Sequence, residues 1–203
     1  MIPDSYFDRF TTKKYRSQNP LQRALIRRFV ERLHSLVLRS MPIESVLEVG
    51  CGEGFLSGYL SEKLTHVTFT GVDLDAGDIA KLKEKFPRID AHEGSAYDLG
   101  FLGEQTFDLV ICAEVLEHLE TPDVALEQIA SRTKKRALLT VPNEPLFMAA
   151  NFLRGKNITR LGNDIEHINH YNPRSFRRLL EPRFEVLEVT TSFPWLLTLN
   201  APR

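Results

Sequence analysis

Three glycines at alternate positions follow a short apolar run and could hold a nucleotide-type ligand. Residues 46–49 predict a buried strand of a parallel sheet, and Gly50, Gly52 and Gly54 come directly after them. Because glycine has no Cβ, its backbone can turn tightly and can lie directly against a bound molecule. A helical pattern begins at Phe55, so the order strand, glycine turn, helix predicts a nucleotide-type site at the carboxyl edge of an open α/β sheet.

The spacing of these glycines argues against a dinucleotide. The dinucleotide fingerprint G-x-G-x-x-G places its third glycine where the helix packs on the strand. That position is Phe55 in this chain, and the third glycine comes one residue early, at Gly54. A nicotinamide-dependent oxidoreductase is therefore disfavoured, while a turn that needs glycine for its geometry alone stays open as an alternative.

A carboxylate closes the second predicted strand. Asp73 stands one βα unit after the glycine turn, where it can accept hydrogen bonds from both ribose hydroxyls of a nucleoside. The alternative role for Asp73 is to cap the following helix, for which Asp75 is also suitably placed. The glycine turn and Asp73 together are more specific than either feature alone.

The two features together resemble motifs of the class I S-adenosylmethionine-dependent methyltransferases. Segment 48–54, with its acidic first residue and three glycines, is similar to the first motif of that family, and Asp73-Leu74 is similar to the second. The resemblance implies S-adenosylmethionine as the cofactor, with Asp73 on the ribose and Leu74 beside the adenine. The cofactor-binding residues that the resemblance implies in these two motifs are Glu48, Gly50, Cys51, Gly52, Gly54, Asp73 and Leu74.

Two further segments carry the same resemblance. Residues 93–99 look like the Gly-Asp-Ala segment that lines the adenine, although Ser95 stands where the family usually has an aspartate. The resemblance implies an adenine contact by Ala96, and Ser95 could still accept a hydrogen bond as a neutral, shorter group. Ala113, directly after the fourth predicted strand, is also expected to line the cofactor.

Two carboxylates and an imidazole follow that fourth strand. A short helix is expected here, on which Glu114, Glu117 and His118, at i, i+3 and i+4, share one face. His118 could act as a general base near neutral pH, and the three side chains could form part of a divalent metal site. His167 and His170, in a later loop, could complete the metal ligands. Alternatively, these groups only orient loops around the cofactor.

The segment around these residues narrows the resemblance. Residues 107–118 are similar to the corresponding segment of the ubiquinone-biosynthesis O-methyltransferase branch. The small-RNA 3′-terminal 2′-O-methyltransferases show a similar Glu-x-x-Glu-His pattern with a later histidine, which binds a divalent metal. The resemblance therefore implies catalytic roles for Glu114, Glu117 and His118 and leaves a divalent metal cofactor open.

The elements that must position these residues alternate along the chain. Strands are expected at residues 45–49, 67–72, 88–91, 107–112, 137–141, 184–189 and 195–199. With helices between most of them, this order predicts an α/β fold with a doubly wound, mostly parallel sheet. The resemblance implies seven strands, the last antiparallel. We expect an N-terminal helical cap over 1–42, the cofactor-binding domain over 43–203, and a substrate-side lid over 143–171.

Composition places the chain among soluble globular proteins. It has 203 residues, enough for one domain, with 42% hydrophobic and 26% charged residues. No apolar run has the length of a membrane span, and the first residues lack the regions of a signal peptide. The two cysteines, Cys51 and Cys112, are too few for a disulfide framework, so reduced thiols and a cytoplasmic location are expected.

Charge is unevenly distributed and bears on the partner. Residues 1–41 carry nine Lys and Arg against three Asp and Glu, whereas residues 42–150 carry nine against nineteen. Residues 151–183 carry seven against three. A basic N-terminal helix and a basic late loop could border a site for an anionic substrate or nucleic acid, but solvated helix faces explain these charges at least equally well. Nucleic acid is therefore a less favoured partner than a small-molecule methyl acceptor, and no sequence feature indicates the oligomeric state.

The leading hypothesis for function is O-methylation of a small molecule by in-line transfer from S-adenosylmethionine. One alternative is a metal-dependent RNA 2′-O-methyltransferase, favoured by the histidines and the basic N-terminal region. A second alternative is a catalytically silent module that binds the cofactor and regulates a partner. The cofactor follows from the motifs in all three cases, whereas the acceptor does not.

Overall fold

One seven-stranded sheet forms the centre of the computed structural model, which describes residues 2–144 and 168–203. The strands are β1 (Ser45–Val49), β2 (Thr68–Asp73), β3 (Ile89–Glu93), β4 (Phe107–Ala113), β5 (Thr133–Pro142), β6 (Phe184–Ser192) and β7 (Trp195–Pro202). Their order is β3-β2-β1-β4-β5-β7-β6, parallel from β3 to β5, with β7 antiparallel to both of its neighbours. The predicted α/β fold, a doubly wound, mostly parallel seven-stranded sheet with an antiparallel last strand, is confirmed.

Seven α-helices accompany the sheet in the described part of the chain. They are α1 (Asp4–Phe7), α2 (Lys13–Arg16), α3 (Pro20–Arg39), α4 (Phe55–Lys63), α5 (Ala76–Lys85), α6 (Pro122–Arg132) and α7 (Pro173–Leu180). None of these helices combines the length and the apolar composition that a bilayer crossing requires.

Side chains of the central strands alternate between two hydrophobic clusters, one on each face of the sheet. Val46 packs in the cluster that contains Leu33 of α3 and Leu60 of α4, and its neighbour Leu47 packs in the cluster that contains Leu126 of α6. All five of these side chains are fully buried. Successive side chains of a strand point to opposite faces, so a strand with helices on both sides reads as one continuous apolar run.

The carboxyl ends of β1, β2 and β4 meet at one edge of the sheet. Val49, the last residue of β1, pairs with Val72 on one side and with Cys112 on the other. Asp73 and Ala113 therefore end their strands beside the start of the glycine turn. The chain order reverses between β1 and β4, and ligands of open α/β sheets bind at such a switch point.

Three helices precede β1. The longest, α3, begins at Pro20 after Asn19, whose side chain accepts hydrogen bonds from two backbone N–H groups of the first turn. Its apolar face is buried, with Ile26, Phe29 and Val30 each less than 10% exposed. The division of the chain into a helical cap over 1–42 and a domain over 43–203 stays a prediction, and most of the expected lid, residues 145–167, lies outside the described residues.

Candidate functional site

The glycine turn adopts backbone conformations that favour glycine. φ is +79° at Gly50 and +50° at Gly52, in the left-handed region where residues with a Cβ are strained. A Cβ at Gly50 would lie 2.2 Å from Cγ2 of Val115, whereas a Cβ at Gly52 would approach only the Asp78 side chain, at 3.9 Å. Gly50 is therefore needed for packing, and Gly52 leaves space open for a ligand.

Asp73 is tied to the glycine turn by its own carboxylate. Its Oδ2 accepts a hydrogen bond from the Gly52 N–H at 2.7 Å, and its Oδ1 accepts one from the Asp75 N–H at 3.0 Å. The cap of α5 is Asp75, which accepts from the Asp78 N–H at 2.9 Å. The capping role considered for Asp73 therefore belongs to Asp75.

Glu48 is a buried carboxylic acid at the end of β1. It is 4% exposed, and its Oε2 accepts a hydrogen bond from the Ser57 N–H at 2.9 Å. Burial raises the pKa of Glu48 to about 8, because surroundings of low dielectric constant disfavour the charged form. A cationic ligand beside Glu48 would favour the ionised form and lower this pKa again.

A cavity of about 220 Å³ opens where these residues meet. Seven of the residues predicted at the site line it: Glu48, Gly50, Cys51, Gly52, Asp73, Ala113 and Glu114. The N-terminal part of the chain and β7 add a second group of lining residues: Thr12, Lys14, Tyr15, Ile26, Phe29, Val30 and Trp195. The cavity is therefore enclosed by the sheet edge on one side and by α2 and α3 on another.

The charged residues that line the cavity are mostly acidic. Lys14 is the one basic residue among the described lining residues, against five acids: Glu48, Glu53, Asp73, Asp78 and Glu114. Two of these acids have lysine partners, since Lys85 contacts Glu53 at 2.5 Å and Lys81 contacts Asp78 at 2.7 Å. An acidic cavity of this kind suits a ligand with cationic groups.

The helix expected over Glu114 does not form, and this prediction was wrong. φ is +62° at Glu114, and only a 3-10 turn, Leu116–His118, follows. Glu114, Glu117 and His118 therefore do not share one helical face. Glu114 lines the cavity, where Trp195 Nε1 donates to its Oε2, whereas Glu117 and His118 are not among the lining residues. A left-handed φ at a residue other than glycine is uncommon and often marks a functional site.

Glu117 is buried in a way that favours its neutral form. It is 1% exposed, and neither of its carboxyl oxygens has a hydrogen-bond partner among the described residues. Burial, together with the charge of Glu114, raises the pKa of Glu117 well above its usual range. His118 Nε2 lies 3.9 Å from Glu117 Oε1, and the His118 side chain is 38% exposed.

The predicted metal ligands are not brought together in the described part of the chain. Within residues 2–144 and 168–203, no three His, Cys, Asp or Glu side chains are grouped so that they could hold a metal ion. His170 is exposed, close after Ile168 and Asn169, whose N–H groups donate to the Glu117 carbonyl. His167 lies outside the described residues.

Four predicted cofactor residues do not line the cavity: Gly54, Leu74, Ser95 and Ala96. Leu74 directly follows Asp73 and is 76% exposed. The Gly94 N–H donates to the Asp73 carbonyl at 2.9 Å, which places the segment that begins at Ser95 beside the end of β2. Adenine contacts by Leu74, Ser95 and Ala96 stay predictions.

Several lining residues were not predicted from the sequence. Phe29 and Trp195 pack with ring centroids 4.9 Å apart, although α3 and β7 are far apart in the chain. Lys14 and Tyr15 come from a polar segment that carries no periodic pattern. The sequence does carry one signal for this side of the cavity: Glu53 is a charged residue between two glycines of the turn.

A comparison with known protein families decides the identity of the fold. A family model described as a methyltransferase domain matches residues 15–188, most of the chain. The chain belongs to this methyltransferase family. The predicted relationship to class I S-adenosylmethionine-dependent methyltransferases, and with it the enzyme class of the domain, is confirmed.

Curated relatives of the methyltransferase domain include two kinds of O-methyltransferase. The ubiquinone biosynthesis O-methyltransferase of Hydrogenovibrio crunogenus is 32% identical over 120 residues, which cover 57% of this chain and 45% of that protein. The malonyl-[acyl-carrier protein] O-methyltransferase of Haemophilus influenzae is 30% identical over 147 residues, which cover 71% of this chain and 52% of that protein. The chain thus spans about half of the length of these relatives, or less.

Solved methyltransferase structures share the fold. The magnesium protoporphyrin IX methyltransferase from Synechocystis, with bound S-adenosylhomocysteine, has a TM-score of 0.72 and covers 98% of this chain and 95% of its own. The N-methyltransferase NodS from Bradyrhizobium japonicum has a TM-score of 0.67, with 91% and 98% covered. At 19% and 17% sequence identity these likenesses show the fold alone.

Proposed function

We propose that this methyltransferase domain transfers a methyl group from S-adenosylmethionine to an oxygen atom of a small molecule. The observation that carries the proposal is the hydrogen bond between Asp73 and the Gly52 N–H at the edge of an acidic cavity. It joins the two parts of a nucleoside site, the glycine turn and the ribose carboxylate. The names of the ubiquinone biosynthesis and malonyl-[acyl-carrier protein] relatives support oxygen as the acceptor atom.

The charges of the cavity fit the methyl donor. S-adenosylmethionine carries a sulfonium and an ammonium, and it has no phosphate that would require a basic site. Glu48 would receive the ammonium, and Asp73 would accept from the ribose hydroxyls. Leu74, Ser95 and Ala96 would lie along the adenine, and Lys14 would supply positive charge for the donor carboxylate.

The reaction that we propose is an in-line displacement. The acceptor oxygen forms a bond to the methyl carbon while the carbon–sulfur bond breaks, so the sulfonium becomes a neutral thioether, S-adenosylhomocysteine. The hydroxyl proton of the acceptor must pass to a base. Since the donor is already activated, the protein contributes mainly alignment of the two reactants and exclusion of water.

The acceptor would lie against the apolar part of the cavity. Ile26, Phe29 and Trp195 form that part, and Glu114 stands beside it, held by the Trp195 indole N–H. Glu114, Glu117 and His118 are the candidates for accepting the proton of the acceptor. Glu114 has the advantage that it lines the cavity, and His118 the advantage that imidazole is the commonest general base in enzymes.

The regions on either side of this cavity would complete the substrate site. Helices within residues 1–42 would cover it from one side, and segment 143–171 would act as a lid from the other. We expect the domain to work in the cytoplasm on a soluble small molecule.

Two experiments test the proposal. Calorimetry with S-adenosylhomocysteine tests the donor site, and we expect tight binding with one site per chain. Incubation of the domain with cell extract and methyl-labelled S-adenosylmethionine then tests transfer, with label expected in a small molecule. Label in RNA would contradict the proposed acceptor class, and binding without any transfer would identify a catalytically silent module. Loss of transfer on treatment with EDTA would reveal a divalent metal requirement.

A further inference from the structure

Glu53 belongs to the glycine turn, but its carboxylate binds the N-terminal part of the chain. Its Oε1 accepts from the Thr12 N–H and from the hydroxyls of Thr11 and Thr12, each at 2.7 Å. Its Oε2 accepts from the Thr11 N–H at 2.9 Å and from Lys85 Nζ at 2.5 Å. Glu53 is 3% exposed, so these groups replace nearly all of its contact with water.

The two threonines, together with Lys85, stabilise the ionised form of Glu53 in this position. Burial acts to raise the pKa of Glu53, but hydrogen bonds from Lys85, Thr11 and Thr12 outweigh burial and lower that pKa. A buried carboxylate that loses such donors destabilises the folded state, because its charge is then no longer compensated. Separation of the threonines from Glu53 would leave only Lys85, so the attached arrangement is strongly favoured.

The segment that Glu53 holds forms one side of the cavity. We call residues 11–16 the N-terminal wall. Within it, the ring of Tyr15 stacks on the ring of Phe55, with centroids 3.8 Å apart and planes at 3°. Lys14 Nζ lies 5.7 Å from the centre of the Trp195 ring. Thr12, Lys14 and Tyr15 all line the cavity together with the glycine turn.

We propose that Glu53 is a positioning residue for the methyl donor, an inference that rests on the proposed function. The same turn that contacts the donor through Gly52 fixes the N-terminal wall through Glu53. The wall then holds Lys14 and Tyr15 in the cavity, where they retain the bound donor. Glu53 itself acts through the wall, since its own oxygens are occupied by Thr11, Thr12 and Lys85.

Two variants break this connection from opposite sides. Glu53→Ala removes the acceptor, and Thr12→Pro removes one donor N–H and one hydroxyl. Thr12 has a φ of −60°, which proline adopts without strain. We expect either variant to weaken S-adenosylhomocysteine binding about tenfold or more, the scale of lost hydrogen bonds to a charged group. Stopped-flow measurements should show this mainly as faster dissociation.

The double variant distinguishes positioning from a general loss of structure. If Glu53 acts through the N-terminal wall, the double variant Glu53→Ala/Thr12→Pro should bind S-adenosylhomocysteine no more weakly than the single variant with the lower affinity. Both substitutions break the same connection, so their effects should not add. Trypsin should cleave after Lys13, Lys14 or Arg16 faster in the variants than in the wild type. The control is Glu62→Gln, which breaks the exposed Arg9–Glu62 ion pair of 2.7 Å outside the cavity lining and should leave affinity unchanged.

The outcomes of these experiments distinguish the role of Glu53 from the proposed function of the domain. Wild-type affinity in a folded Thr12→Pro variant, checked by circular dichroism, would overturn the role of Glu53 even if Glu53→Ala does not fold. Additive losses in the double variant would also overturn it. Absence of S-adenosylhomocysteine binding by the wild-type domain would contradict the proposed function itself.

Discussion

The carboxylate of Asp73 accepts a hydrogen bond of 2.7 Å from the backbone N–H of Gly52. These residues lie 21 positions apart, at the carboxyl ends of neighbouring strands β2 and β1. The bond fixes the glycine turn against the residue expected to hold the ribose. The nucleoside that we propose to bind here would meet both groups in one fixed geometry, as a rigid sheet edge positions a ligand.

Replacement of Asp73 should weaken donor binding. In Asp73→Ala the ribose hydroxyls lose a charged acceptor, and we expect a loss of about 1–3 kcal/mol in binding free energy, the scale for hydrogen bonds to charged groups. Calorimetry with S-adenosylhomocysteine measures this loss directly. The matched control is Asp75→Ala, which removes the cap of α5 and should lower thermal stability while it leaves affinity nearly unchanged. Unchanged affinity in Asp73→Ala would exclude the ribose role.

The fold could be predicted because its signals are local and mutually consistent. β1 and β4 are mostly apolar because both faces of these strands are covered, and the one acid within each strand, Glu48 or Asp108, is itself buried. Asn172 and Ser175 form a capping box at the start of α7, and Pro173 stands at the first helical position, so this helix start has local signals in the sequence. The main error, a helix at Glu114, arose because the i, i+3, i+4 spacing of Glu114, Glu117 and His118 is typical of a helix, whereas the left-handed φ of Glu114 has no local signal in the sequence.

The part of the cavity formed by the sheet edge was predictable from the sequence, and the part formed by segment 11–16 and β7 was not. Gly50, Gly52 and Asp73 follow their strands directly, so the topology of the sheet brings them together. Lys14 and Trp195 reach the cavity through tertiary contacts between segments about 180 residues apart, for which one sequence carries no local pattern. Segment 11–16 is fixed by Glu53, whose partners become visible only in the structure.

A side chain at Gly52 should block the cavity. A Cβ there meets only Asp78 within 4 Å, at 3.9 Å, so the branched side chain of Gly52→Val would extend into the space proposed for the donor. We expect loss of S-adenosylhomocysteine binding with circular dichroism unchanged. Gly103→Val controls for strain, because Gly103 also has a positive φ, +60°, and an open environment, but does not line the cavity. Gly103→Val should likewise be strained by its positive φ and should still bind S-adenosylhomocysteine.

Glu48 should make donor binding depend on pH. Its pKa of about 8 in the free protein means that it is largely protonated at neutral pH. If the ionised form receives the donor ammonium, binding releases a proton from Glu48, and affinity should rise with pH between about 6 and 8. Calorimetry in buffers of different ionisation enthalpy counts the protons released. A pH dependence that persists unchanged in Glu48→Gln would contradict this assignment.

The same group should affect stability in the opposite direction. The folded pKa of about 8 lies above the ordinary value of 4.5, so the folded state binds more protons than the unfolded state between these values. The stability associated with protonated Glu48 is therefore fully present below about pH 4.5 and is lost as the pH rises through 8. Urea unfolding at several pH values should show a smaller fall over this range in Glu48→Gln than in the wild type.

His118 should affect turnover rather than donor affinity. Its imidazole lies outside the cavity lining and 3.9 Å from Glu117, so it is not expected to hold the donor. As the base that accepts the acceptor proton, it would contribute about 10²- to 10⁴-fold to the rate, the usual range for such catalysis. His118→Ala should therefore lower turnover with the acceptor found in the extract screen, while calorimetric affinity for S-adenosylhomocysteine stays at the wild-type value. His66→Ala, at another exposed histidine, should change neither quantity. Equal losses of turnover and affinity in His118→Ala would instead assign His118 to the support of the site, and Glu114→Gln would then be the variant expected to abolish turnover.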